Sequence, residues 1–161
     1  MKIRPLQNTG EMEALRQVIR ATEMFTEEEE KVALELMDIF LTQPDQRDYI
    51  VEVLDEEDGA LAGYVCYGPT PMTEGTYDLY WIAVHPRTQR RGYGRALLER
   101  VESLVAQRHG RLVLIETSSQ EKYLPTRQFY LRAGYQEQAR IPDFYRPGDD
   151  RIIYCRYLQC K

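Results

Sequence analysis

Between residues 76 and 117 the chain switches from strand to helix periodicity and back, and this run restricts the possible fold more than any other part. TYDLYWIAV, residues 76–84, is rich in β-formers and is stopped by His85 and Pro86. The loop RTQRRGYG follows. Leu97, Leu98, Val101, Leu104 and Val105 then recur at helical spacing, closed by Gly110 at a C-cap position. LVLI, residues 112–115, reads as a strand buried on both faces. A helical crossover makes the two strands parallel neighbours, so 76–117 is a βαβ unit.

The rest of the pattern adds strands and helices around that unit. Residues 1–5 read as a short strand, and after Gly10 the apolar set Met12, Leu15, Val18 and Ile19 predicts a helix. Thr26 is a good N-cap, and Glu27 to Glu30 suit the positive end of a helix dipole; the stripe Ala33, Leu36, Met37 and Phe40 follows. YIVEVL and ALAGYVCYG flank Asp58 and Gly59, which signals an antiparallel hairpin. Pro125 fits the first turn of a further helix carrying Phe129, Tyr130 and Leu131 and ending at Gly134. Residues 135–141 and 151–158 close the sheet, and PDFYRPGDD between them, 142–150, reads as a nine-residue loop, long enough to serve as a lid or substrate contact.

The 161 residues fit a single domain, 1–161, and 43% hydrophobic residues suffice for a core without disulfides or metal. Three cysteines, Cys66, Cys155 and Cys160, form an odd set without CxxC spacing, which argues against a disulfide framework and against a zinc site. That predicts a reducing, cytoplasmic location. No apolar run approaches the length of a membrane span, and MKIRPLQNTG lacks a signal peptide's apolar stretch. With a net charge of -5, nucleic acid is not an expected partner.

The most informative stretch is QRRGYGRALL, 89–98, placed after a strand and at a helix start. A pyrophosphate needs several N–H donors pointing one way, which a first helical turn offers, and Gly92 and Gly94 allow close approach. Arg87, Arg90, Arg91 and Arg95 add a local positive field to an acidic chain. A dinucleotide fingerprint would need glycine where Leu97 stands, and there is no GKS or GKT for a triphosphate site.

With these residues the chain resembles the GNAT superfamily of N-acetyltransferases, over most of its length. The family's acyl-CoA signature is Gln or Arg, two residues, Gly, one residue, then Gly or Ala; Gln89, Gly92 and Gly94 satisfy it, and IAVHP before it is also typical. The resemblance implies an α/β (α+β) fold with a mixed, mainly antiparallel sheet of six to seven strands and about four helices. It also implies acetyl-CoA as co-substrate, no metal, and splayed fourth and fifth strands that admit it. Beside Gln89, the backbone of Arg90, Arg91, Gly92, Tyr93, Gly94 and Arg95 would hold the pyrophosphate. The backbone of Ile82, Ala83 and Val84 would pair with the pantetheine arm.

The resemblance also implies a tyrosine that protonates the departing thiolate, and FYLRAGY puts Tyr130 there; a phenol carries a proton at neutral pH. Its structural alternative is a half-buried tyrosine of an amphipathic helix. Tyr123 stands where the family often has an asparagine touching the cofactor, and Thr126 where an alanine is usual. For the base that deprotonates the amine, Asp78 lies where the histone-modifying branch carries a glutamate, and Glu116 is the second candidate; a water relay is the alternative to both. His85 reads as a loop residue, His109 as a helix-end residue and Cys66 as core. The expected activity is direct acetyl transfer to a primary amine of a small molecule or peptide, the alternative being a non-catalytic acyl-CoA-binding module. The sequence leaves a homodimer open.

Overall fold

A computed structural model describes residues 1–158, so Cys160 lies outside the described residues. The elements are β1 (Lys2–Pro5), α1 (Met12–Ala21), α2 (Glu27–Thr42), β2 (Ile50–Asp55), β3 (Leu61–Pro69), β4 (Thr76–Val84), α3 (Tyr93–Gln107), β5 (Leu112–Ser118), α4 (Leu124–Arg132), β6 (Gln136–Arg146) and β7 (Asp149–Tyr157). The strands form one seven-stranded sheet in the order β1-β2-β3-β4-β5-β7-β6. Its pairs are antiparallel except β4 with β5. The fold is thus the mixed, mainly antiparallel one expected.

Local signals explain most boundaries. Thr26 and Glu29 form a capping box at α2: Thr26 Oγ1 accepts from the Glu29 N–H at 3.1 Å, and Glu29 Oε2 accepts from the Thr26 N–H at 2.8 Å. The Asp58–Gly59 turn joins β2 to β3, with Gly59 at φ +83°. At the end of α3 the left-handed residue is His109, at φ +60°, and not Gly110. Gly110 is needed for a different reason: a Cβ there would lie 2.3 Å from Val105 Cγ1 and 2.9 Å from the Tyr77 ring. The close approach seats the α3–β5 turn on β4.

Two cores flank the sheet. On one face Leu97, Leu98, Val101 and Val105 of α3 and Tyr130 of α4 pack on Leu79, Val113 and Ile115. On the other, Leu15, Val18 and Ile19 of α1 and Ala33 and Met37 of α2 pack on Val51, Val53, Tyr64 and Ala83. Cys66 belongs to this second core, and burial pushes its thiol up to about 12.

Two expectations are corrected. β5 is not buried on both faces: Val113, Ile115 and Thr117 are buried, whereas Leu112 and Leu114 are half-buried and Glu116 is exposed. The reason is that α1 packs on β3 and β4 and α2 on β2, short of β5. Nor is 142–150 a loop. β6 runs to Arg146 and β7 begins at Asp149, leaving only Pro147 and Gly148 as a turn. Pro142 is tolerated because β6 is an edge strand, where one side needs no ladder donor. The strand is kinked there, with Asp143 at φ +53° and a register shift between Ile141 and Arg146. No helix among the described residues is long and apolar enough to cross a membrane.

Candidate active site

The site begins where β4 and β5 part. Their parallel pairing covers Thr76 to Leu79 against Leu112 to Ile115 and then stops, while β4 continues beside β3 to Val84. Between Cys66 and Tyr67 the register against β4 slips from Trp81 to Leu79, so Tyr80 is an extra residue and β4 bulges there. Tyr80 and Trp81 both join the α1/α2 core, while Leu79, Ile82 and Val84 join the α3/α4 core. Beyond the bulge, the His85 N–H donates to Ala62 O at 2.7 Å. Antiparallel alternation from that bond directs the N–H and C=O of Ala83 toward β3 and those of Ile82 and Val84 to the edge that β5 has vacated. Of the three backbone residues expected at the cofactor, two therefore face the split.

The loop after β4 is shaped by local bonds. His85 Nδ1 accepts from the Arg87 N–H at 3.2 Å, and the buried Thr88 donates from Oγ1 to His85 O at 2.9 Å. His85 is thus the loop residue expected. Arg90 and Gly92 take left-handed φ values of +65° and +81° and turn the chain into α3. Gly92 is the N-cap residue, and its carbonyl accepts the first helical bond from Ala96 at 2.9 Å. No side chain caps α3, its first turn holds no acid, and among the described residues the N–H groups of Tyr93, Gly94 and Arg95 have no partner within the chain. Gly94 looks onto the Phe129 ring and Val84, which wall this end of the split.

The positive field is more modest than the count of arginines implies. Arg87 and Arg91 both hold Glu56, at 3.3 and 3.1 Å, and Arg95 pairs with Glu99 at 2.8 Å. Arg90 is exposed and makes no ion pair among the described residues. Gln89 is exposed beside it.

The candidate acid and the candidate bases lie on opposite faces of the sheet. Tyr130, on α4, is 4% exposed, with its ring centroid 5.5 Å from Phe129 and 6.0 Å from Tyr154. Burial raises its hydroxyl well above the ordinary tyrosine value, so it stays protonated at neutral pH. Asp78 pairs with Leu114 across the parallel ladder and alternates with Leu79, which sends it to the α1/α2 face; its Oδ2 accepts from Thr70 Oγ1 at 2.7 Å. Glu116, two residues beyond Leu114, shares that face, is exposed, and pairs with Arg151. Next to Asp78, burial first and then the Asp78 charge push the Tyr80 hydroxyl up to about 12.

Three features escape sequence reading. One is the β4 bulge, which no turn residue marks. Another is Asp149, buried at the start of β7, which accepts from Ser118 Oγ and Gln120 Nε2 and ties down the end of β5. Burial alone would raise its carboxyl, but these bonds, with Arg146 and the Ser119 amide, hold it below the ordinary aspartate value. The last concerns Tyr123: its hydroxyl donates to the Met24 carbonyl at 3.1 Å, in the loop between α1 and α2, instead of reaching toward α3.

Comparison with known proteins agrees with this geometry. The model of the Acetyltransferase (GNAT) family matches residues 12–135. The crystal structure of a GNAT-family protein from Desulfovibrio desulfuricans has a TM-score of 0.94 and 47% identity, covering 98% of this chain and 99% of that one. An uncharacterized N-acetyltransferase from Methanocaldococcus jannaschii is 27% identical over 108 residues, or 65% of this chain, and the chain spans 62% of that relative's length. An aminoglycoside 6'-N-acetyltransferase complexed with coenzyme A shares the fold at TM-score 0.79 and 17% identity, covering 100% of this chain and 99% of that one.

Proposed function

Because this chain belongs to the acetyltransferase (GNAT) family, we propose that it transfers the acetyl group of acetyl-CoA directly to a primary amine of a small molecule or peptide, with both bound at once. One observation carries the reading: an uncapped helix start whose three unpartnered amides sit at the end of a strand edge left open by its neighbour. The residues fit the co-substrate. Tyr93, Gly94 and Arg95 offer amides to the pyrophosphate, with Arg90, which has no ion pair among the described residues, placed to approach it. Ile82 and Val84 offer main-chain groups to the amide-bearing arm, as a missing strand would.

The chemistry assigned to the protein is mostly placement. An open-edge N–H of β4 polarises the thioester carbonyl. The amine attacks from the α1/α2 face, forming the C–N bond as the C–S bond breaks. Its proton leaves to Asp78, or to Glu116, directly or through water. Tyr130, on the other face, protonates the thiolate. Titration with coenzyme A and a free-thiol assay over an amine panel test this together. Binding with turnover is the expected result, binding without turnover would mean an acyl-CoA-binding module, and no binding overturns the reading.

A further inference from the structure

We infer that Tyr123 governs access of the amine: it straps the α1–α2 loop to the far bank of the split and so selects acceptors by bulk. This rests on the acetyl-transfer reading above. The split has two banks on the α1/α2 face. On the β4 side lies the α1–α2 loop, held by Phe25 against Trp81 with centroids 5.1 Å apart. On the β5 side lies the 3-10 turn Glu121–Tyr123, which the chain enters on leaving Ser118.

Each bank is pinned locally. Arg127 Nη1 donates to Ser118 O at 2.9 Å and to Gln120 O at 2.8 Å, while Asp149 accepts from Ser118 and Gln120. On the other bank, Thr22 Oγ1 donates to Ile19 O at 2.7 Å and accepts from the Met24 N–H at 3.3 Å, and Glu23 takes φ +55°. Between them run two bonds to one acceptor, Tyr123 Oη to Met24 O at 3.1 Å and Lys122 Nζ to Met24 O at 3.4 Å. Lys122 Nζ also lies 4.9 Å from the Tyr123 ring centroid. The contact spans 99 positions in sequence, and its acceptor adjoins Phe25, which packs into the α1/α2 core on the side of the sheet that holds Asp78 and Glu116. A hydroxyl committed there is not available to the phosphates at α3. An amine coming from that face passes under or beside the Tyr123 ring.

The experiment compares wild type with Tyr123→Phe, which keeps the ring and removes the donor, and with Lys122→Ala, using ethylamine, spermine and a lysine-containing octapeptide as acceptors. Tyr123→Phe is expected to shift the ratio of kcat/KM for octapeptide over ethylamine at least about 5-fold toward the octapeptide, through KM, with acetyl-CoA affinity held within about twofold. Lys122→Ala should shift it in the same direction and less. An unchanged ratio overturns the proposal, and so does a loss of acetyl-CoA affinity that tracks the acceptor effect, since that marks a cofactor contact. If wild type releases no thiol with any amine, the transfer reading itself falls. Amide hydrogen exchange over residues 23–27 then judges the strap: it should quicken about 10-fold in Tyr123→Phe, and unchanged exchange overturns it.

Discussion

α2 and α3 begin in opposite ways. α2 is closed by its own residues, with the Thr26–Glu29 capping box and Glu27 to Glu30 filling the first turn with negative charge. α3 starts at a glycine and carries neither a side-chain cap nor an acid in its first turn, where Arg95 is the charged residue and Arg90 and Arg91 lie just ahead of the helix. Both helices present the same electropositive pole. At α2 the chain satisfies that pole permanently, and the yield is stability. At α3 the same groups find no partner among the described residues, and under the function proposed above they are left to the pyrophosphate of the co-substrate. Helix starts in one chain thus separate structural from functional demands by which side chains are missing.

Four experiments put this contrast to the test. The largest effect is expected from giving α3 what α2 has. In Gly94→Glu a Cβ meets only ordinary contacts, 3.5 Å from Phe129, so the helix should form, and the free protein should gain about 0.5 kcal/mol from the dipole and from replacing glycine. Coenzyme A affinity should fall at least about 100-fold by calorimetry. A variant that binds normally would end the assignment of the α3 amides.

Next comes Tyr130→Phe, which leaves both helix starts alone: kcat should drop about 100-fold while affinity for acetyl-CoA moves less than about twofold. A parallel fall in affinity would show that the grip and the proton transfer are not separate. Smaller is the ligand-induced thermal shift. At 100 times the wild-type Kd, coenzyme A should stabilise wild type by about 2.7 kcal/mol and do the same for Thr26→Ala, but stabilise Gly94→Glu by no more than about 0.4 kcal/mol. Smallest is Thr26→Ala itself, which should lose about 1 kcal/mol, or roughly 3 °C in Tm, with coenzyme A affinity intact.

How much of this could be read in the sequence follows from the range of the forces involved. The α2 cap and the Asp58–Gly59 hairpin depend on neighbours within a few residues and were legible, and the βαβ unit was legible because periodicity and the crossover rule fix its pairing without side-chain partners. The Pro142 kink misled, because proline normally ends a strand and only the edge position of β6 makes it harmless. Gly110 looked like a left-handed cap, whereas its need comes from close approach to Val105 of α3 and to Tyr77, on another strand. Four arginines suggested a strong field, but Glu56, 35 positions from Arg91, takes two of them. In the same way Glu116 carries no sign in sequence that Arg151 will pair with it, and Tyr123 none that the Met24 carbonyl will accept its hydrogen bond. The strand, turn and helix start that carry the motif were readable; side chains whose partners lie far along the chain were not.

The kinked β6 has a consequence for how the molecule coexists with its copies. All eleven residues of that strand are exposed, and a flat strand of such length at the margin of a sheet would offer a continuous row of amide and carbonyl groups to any passing extended segment. Pro142 deletes one donor from the row and Asp143 twists the next peptide out of line, so the row is broken near its middle. An edge interrupted in this way is a poor seed for stacking.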